Sequence, residues 1–416
     1  MTDHWTPFGE EPEPATPSWA EAPVGPTRRS SGGGGQEPPR APSGRRRRRW
    51  VSAVLITTMA IVVAGAGWVA GKPIVERWTN PSPSAVADYP GPGHGAASVT
   101  IDPGDPGNVI ADKLVAAGVI ATAGPFIAAF ADAGDQASAI QPGTYQLRLE
   151  MSARDALTAL MDPSSRQLIQ FTVPEGKRAE EVYQIAGLAM AQAQAAMPDV
   201  AADFDVEAAA LAATDELRQA GEQGDLIGLP PEAENHAEGW LFPATYQFNV
   251  TTSAAEILAA MVNETIKLLD SLDVDPPKRL EVLTVASLLE RESKLEPDRP
   301  KTARVIYNRI ERGMKLELDS TVVYGVGRFD GNLATSDAER ANQNPFNTYV
   351  NAGLPAGPIA NPGLATIEAA LAPADGAWIY FCVVDPSTGE MEFNETWEGH
   401  QESVKKWQAW EAEHAG

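Results

Sequence analysis

Two glutamates close an apolar run, Leu283-Thr-Val-Ala-Ser-Leu-Leu-Glu-Arg-Glu-Ser293, and they are the residues best placed for acid–base chemistry. At about 100° per residue, Val285, Leu288 and Leu289 share one helical face, Glu292 falls in the middle of it, and Glu290 falls nearly opposite. A carboxyl group among aliphatic side chains is desolvated, which raises its pKa and keeps a proton on it near neutral pH for a general acid. The plainer alternative is a helix end whose glutamate reaches water.

Other candidates lie downstream. Asn308 and Arg309 stand near the end of the next expected helix, close in sequence to Asp319 and to the run Ser320–Gly327 that holds Tyr324. Arg309 and Asp319 read either as an ion pair that holds helix to loop or as cleft residues. Asn347 and Tyr349 belong to a turn-dense loop over 344–363, where amide and phenol groups suit sugar hydroxyls and N-acetyl groups; a covering loop pinned by proline is the equal alternative. Upstream, Glu238 stands before a dense aromatic group ending at Phe248, which is either core or the wall of a glycan cleft.

These residues need elements to position them. Asp275-Pro-Pro reads as an N-cap with proline at the first helical position, opening the helix that ends at Glu292-Ser293. After Pro297 a second helix runs from about Arg299 to Arg312, stopped by Gly313, and its repeat of Ala303, Ile306 and Ile310 packs it beside the first. A helix is expected over Leu364–Leu371, a buried strand over Trp378–Val384 with a hairpin partner at Met391–Asn394, and a packing helix over about Glu398–Glu411. Earlier, Gln167–Val173 alternates as a strand and leads through a turn at Pro174 into a helix from about Ala179. Residues 98–162 read as a small βααβ unit: strand Ser98–Ile101, helices Asn108–Ala117 and Pro125–Ala133, strand Gly143–Leu149 and a helix opened by Ser152. The segment near 192–237 looks like a helical, acidic insertion.

Composition excludes some functions. The first 49 of the 416 residues carry 8 Arg against 6 acidic residues, and the rest carry 24 basic against 50 acidic, so no basic stripe is present for nucleic acid. Cys382 is the single cysteine and sits in an apolar run, as a buried small hydrophobe does. With no CxxC pair and no HExxH, no metal and no cofactor are expected. Residues 1–49 form a Pro- and Gly-rich tail too poor in apolar groups to fold. Arg45–Arg49 precede the uncharged apolar run 50–71, whose 22 residues reach roughly 33 Å, enough for one transmembrane helix. The arginines mark the cytoplasmic side, which puts everything after the span outside the cell membrane. Residues 72–97 are a linker.

Several of these segments, in order, resemble the YceG-like family: Leu283–Ser293, Val305-Ile-Tyr-Asn-Arg-Ile310, Gly313-Met-Lys-Leu316, Asp319-Ser-Thr-Val-Val-Tyr-Gly325, Asn347-Thr-Tyr349, Gly353-Leu-Pro355 and Ile359-Ala-Asn-Pro-Gly363. Members of that family are endolytic murein transglycosylases. The resemblance implies an α+β protein with a single transmembrane helix, a small LysM-like unit over 98–162 and a mixed α/β catalytic domain over 163–416. It implies a lyase that cuts the MurNAc–GlcNAc bond of nascent peptidoglycan strands with formation of 1,6-anhydro-MurNAc. It further implies glycan strands, the membrane and cell-wall synthesis proteins as partners. The family motif keeps both glutamates; the helical-face argument selects Glu292 as catalytic, with Glu290 second. Asn308, Arg309, Asp319, Tyr324, Asn347 and Tyr349 are the expected substrate contacts. A non-catalytic, glycan-binding scaffold of the elongation machinery is the competing class.

Overall fold

The computed structural model describes residues 88–198, 200–234, 236–328 and 334–414. The expected tail, transmembrane span and most of the linker lie outside the described residues. Among the described residues no helix is long and apolar enough to cross a membrane.

The chain opens with strand β1 (His94–Ile101), helices α1 (Gly107–Ala116) and α2 (Ala123–Ala133), strand β2 (Gly143–Leu149) and helix α3 (Ala153–Met161). Ser152 starts α3 by accepting a hydrogen bond from the Asp155 amide at 3.1 Å, leaving one fewer unpaired donor at the helix end. β1 and β2 pair antiparallel, and Val99, Ile101, Tyr145 and Leu147 drop from them onto Leu114, Phe126 and Leu160 to form a core of their own.

β3 (Arg166–Thr172) continues the sheet, pairing with β2 only at Thr144–Gln167 and Tyr145–Arg166 and, through Leu168–Thr172, with β4 (Thr245–Asn249). The four strands lie in the order β1-β2-β3-β4, all antiparallel. The alternation read in Gln167–Val173 is the inward set Gln167, Ile169 and Phe171. Phe171, Tyr246 and Phe248 form a ring cluster with centroids about 6 Å apart, so the end of the aromatic group after Glu238 is core.

Two long helices follow β3, α4 (Ala179–Ala195) and α5 (Val206–Gly221). The 192–237 segment is helical as expected, and it also feeds the main core through Leu217, Ala220, Ile227 and Ala233. The two helices touch at Gly187, where an added Cβ would stand 2.8 Å from the Thr214 amide nitrogen and 2.9 Å from the Ala210 carbonyl oxygen. Backbone cannot yield as a side chain does. Gly187→Ala is therefore expected to destabilise the protein by about 1–3 kcal/mol in urea unfolding, despite the better helix propensity of alanine.

The remainder is arranged around one helix. α6 (Ala254–Ser271) leads to α7 (Pro276–Glu292), in which every residue from Val282 to Leu289 is buried. Then come α8 (Arg299–Glu311), α9 (Asp319–Gly325), the short α10 (Asp337–Arg340), α11 (Leu364–Leu371), the hairpin β5 (Tyr380–Asp385) and β6 (Glu390–Asn394), and α12 (Trp397–His414). Asp275 stands at the start of α7, but its side chain makes no capping hydrogen bond. Pro276 and Pro277 have no N–H to offer it, and the Lys278 amide is taken by the Asp275 carbonyl. Cys382 is buried in β5, where desolvation pushes its thiol up to about 12.

Candidate active site

α7 is covered on all sides, and its last turn brings two carboxyl groups out of the core. The two meet different partners. Glu290 Oε1 accepts from the Gly363 amide at 2.9 Å and from Thr366 Oγ1 at 2.7 Å, which ties it to the first turn of α11. Its acceptor capacity serves the helix end, where a carboxylate is favoured by the unpaired N–H groups.

Glu292 instead faces α9. Ser320 Oγ donates to Glu292 Oε1 at 2.5 Å. Burial pushes the Glu292 carboxyl up to about 7; the Ser320 hydrogen bond opposes that rise and the neighbouring Asp319 charge adds to it. A carboxyl poised there is half protonated at neutral pH, the condition for a group that gives a proton and takes one back.

The position of Ser320 depends on Asp319, which is buried and accepts from four directions. Thr335 Oγ1 donates to Asp319 Oδ1 at 2.5 Å, Tyr349 Oη at 3.0 Å and Arg340 Nε at 3.2 Å, while Arg340 Nη2 reaches Oδ2 at 3.3 Å. The expected partner of Asp319 in an ion pair was Arg309; the pair described here is with Arg340. Asp319 thus anchors the start of α9 to the segment 335–349. Thr321 and Thr348 add a buried hydroxyl pair at 2.9 Å.

Three more of the expected substrate contacts, like Asp319 and Tyr349, are hydrogen-bonded to protein. Asn347 is fully buried and donates to the carbonyls of Arg340 and Asn342, while its own oxygen accepts from the Tyr349 amide. Asn308 Nδ2 donates to the carbonyls of Gly376 and Trp378. Arg309 donates to three backbone carbonyls and pairs with Glu317. Their polar groups are satisfied by protein, as buried polar groups must be.

Tyr324, one turn beyond Ser320 on α9, donates to Glu238 at 3.2 Å. Glu238 also takes the Ala179 amide on both oxygens at 3.0 and 3.1 Å and Asn361 Nδ2 at 3.2 Å, so it closes the start of α4. Burial pushes its carboxyl up to about 7 against the pull of those donors and of Arg178. Together with Arg178, Tyr183, Trp240, Tyr324 and Phe346, Glu238 lines a cavity of about 610 Å3, on whose wall Glu292 is not found. Sequence reasoning missed Ser320 and Arg340, whose residue types carry no signal until the chain is folded.

The raised carboxyls set a stability profile. Each binds its proton more tightly in the folded state than in the unfolded chain, so its contribution is fully present below about pH 4.5 and is lost as pH rises through about 7. His400, held down to about 4 by burial, works the other way over part of that window. The difference between wild type and Glu292→Gln isolates one carboxyl: the variant is expected to be about 1–3 kcal/mol more stable than wild type at pH 8 and to lose that advantage by pH 4.5, in urea unfolding at both pH values.

Residues 99–406 match the YceG-like family. The chain is 33% identical over 279 residues to an endolytic murein transglycosylase of Bacillus subtilis, covering 65% of this chain and 74% of that protein. It is 30% identical over 284 residues to an endolytic murein transglycosylase of Streptococcus pneumoniae, covering 64% of this chain and 50% of that protein. A crystal structure of a yceG-like protein from Listeria monocytogenes aligns with a TM-score of 0.43 at 25% identity, covering 74% of this chain and 98% of that one. The family match spans well over half of the sequence, and both carboxyl groups at the end of α7 and the α9 helix that meets Glu292 lie within the matched residues: this chain belongs to the YceG-like family.

Proposed function

We propose that the protein is a lytic transglycosylase that cuts murein glycan strands, with Glu292 as its single acid and base. The observation that carries this reading is the Glu292 carboxyl itself, desolvated at the end of a buried helix and raised to about 7. Protonated Glu292 gives its proton to the glycosidic oxygen as the bond from that oxygen to C1 of N-acetylmuramic acid breaks. The C6 hydroxyl of the same sugar then attacks C1, and its proton passes to the Glu292 carboxylate. A 1,6-anhydro ring closes, no water is consumed, and the enzyme regains its starting protonation state. A glycosidase that uses water would pair two carboxyl groups about 5–9.5 Å apart across the bond. Here the neighbouring carboxylates Asp319 and Glu290 are both held by protein donors.

The relatives carry the name endolytic murein transglycosylase, which supports the substrate class. The basic cluster Arg45–Arg49 and the apolar run 50–71 support a single-pass anchor with the catalytic part outside the membrane, near nascent strands and the proteins that make them. Protease cleavage of the N-terminal tail in intact cells, from outside, would overturn that orientation.

The decisive experiment is digestion of glycan strands by the purified protein, with the new ends weighed by mass spectrometry. Anhydro-muramyl ends are expected; ordinary reducing ends would make the enzyme a hydrolase, and no new ends would make it a binding protein. Because the first step needs the protonated acid, kcat is expected to fall as pH rises through about 7, roughly tenfold per unit well above it, when initial rates are followed from pH 5 to 9.

A further inference from the structure

The 610 Å3 cavity is within the roughly 300–1,000 Å3 range of sites that hold small ligands, and the chemistry assigned to Glu292 makes no use of it. One helix nonetheless joins it to the acid. Ser320 and Tyr324 lie four residues apart on α9, about 6 Å along the helix axis, with Ser320 on Glu292 and Tyr324 on the cavity wall.

Most charges on the wall are matched. Arg218 is held by Glu180 at 2.7 Å and by Asp215, and Arg178 lies beside Glu238 while donating to the Arg328 carbonyl. The side chains of Glu222 and Glu234 are exposed and have no ion pair or hydrogen bond among the described residues, which leaves two carboxylates in excess on the cavity wall. A second feature is independent of them. Tyr183 lines the cavity, is only 6% exposed, and its hydroxyl has no hydrogen-bond partner among the described residues. Room for that hydroxyl is made by Gly221, another wall residue, where an added Cβ would stand 2.2 Å from it.

Aromatic faces with carboxylates beside them attract an ammonium group, through the ring quadrupole and through charge. Tyr324 is already covered by Arg178 at 5.1 Å and packs edge-to-face with Phe346 at 4.7 Å, which leaves Tyr183 as a wall ring with no aromatic or cation contact among the described residues. A neutral sugar could use the phenol yet would leave Glu222 and Glu234 without a counter-charge. Resting on the murein reading above, we propose that this cavity binds the free ammonium group of a short peptide carried by the glycan strand, so that strands bearing amine-ended peptides are held next to Glu292.

The test uses the full-length Glu292→Gln protein, which holds strands without cutting them. Its affinity is measured for murein strands whose peptides keep their free amines and for the same strands after amine acetylation. Acetylation is expected to weaken binding about 5- to 10-fold, and adding E222Q and E234Q to remove the preference by weakening binding of the amine strands to the same extent. Adding E411Q and E413Q, which lowers the negative charge equally on the exposed end of α12, is expected to leave the preference intact. Equal binding of acetylated and free strands would overturn the proposal, as would an equal loss in the α12 control, which would mean general charge attraction. Anhydro ends measured in parallel with wild type keep the two readings apart: their absence sinks the transglycosylase assignment, while the affinity comparison still decides the cavity.

Discussion

Replacing Glu292 with glutamine is expected to slow formation of anhydro-muramyl ends by about 10²- to 10⁴-fold, the range that a positioned general acid–base supplies. Glutamine keeps the shape of the side chain, and its Oε1 can still accept from Ser320, so the end of α7 and the start of α9 stay joined. What it removes is the exchangeable carboxyl proton. Glu290→Gln provides the contrast two residues away. The Oε1 that takes Gly363 and Thr366 survives as an amide oxygen, and loss of the negative charge at the start of α11 is worth about 0.3–1 kcal/mol, so its rate is expected to stay within about tenfold of wild type. An active Glu292→Gln beside an inactive Glu290→Gln would reverse the assignment. Circular dichroism and unfolding of both variants separate lost chemistry from lost fold.

How far the sequence reaches is visible in this same helix. Periodicity placed α7, α8, α11 and the β5–β6 hairpin close to their observed ends, because amphipathic spacing and proline or glycine stops act locally. The apolar face that selects Glu292 over Glu290 is not isolated in the folded chain. Val282 through Leu289 are all buried, so α7 has no single apolar face, and Glu290 and Glu292 are distinguished by what the distant segments at 363–366 and 320 bring to them. Those contacts span 28 to 76 positions in the chain and leave no periodic trace. The same limit explains Asn308, Arg309 and Asn347. They are expected substrate contacts by their place in ordered motifs, and the folded chain pairs them with carbonyls of its own loops; those pairings are set by other segments and are not written in the residue type. Arg340 was invisible for a related reason: an arginine on a four-residue helix becomes informative only when Asp319 is seen beside it.

Arg309→Met is expected to destabilise the protein by about 3–5 kcal/mol, among the largest effects of any single substitution, because it strands several buried acceptors at once. The side chain is 2% exposed. Its Nε donates to the Ile379 carbonyl at 2.6 Å, and its Nη1 donates to the carbonyls of Lys315 and Leu316 at 2.8 and 3.0 Å. Burial pulls the guanidinium down to about 10, still charged across the physiological range, and Glu317 and the ring of Tyr380, 5.2 Å from it, help to compensate that charge. Methionine fills comparable volume and offers no donor. The Lys315–Glu317 segment would then have to keep Glu317 in its left-handed conformation, φ 52°, without the guanidinium that holds it from beneath. Lysine is not expected to rescue, since one ammonium cannot reproduce donation from two differently directed nitrogens of a planar fork. The consequence extends to catalysis, because this segment leads directly into Asp319 and Ser320. Material that remains folded in Arg309→Met is expected to show a weakened Ser320–Glu292 contact, a higher Glu292 pKa and hence an alkaline limb displaced above the wild-type value. Urea unfolding gives the first quantity and the pH dependence of anhydro-end formation gives the second; a loss below about 1 kcal/mol would mean that water satisfies the three carbonyls and that Arg309 is not what fixes the approach to α9.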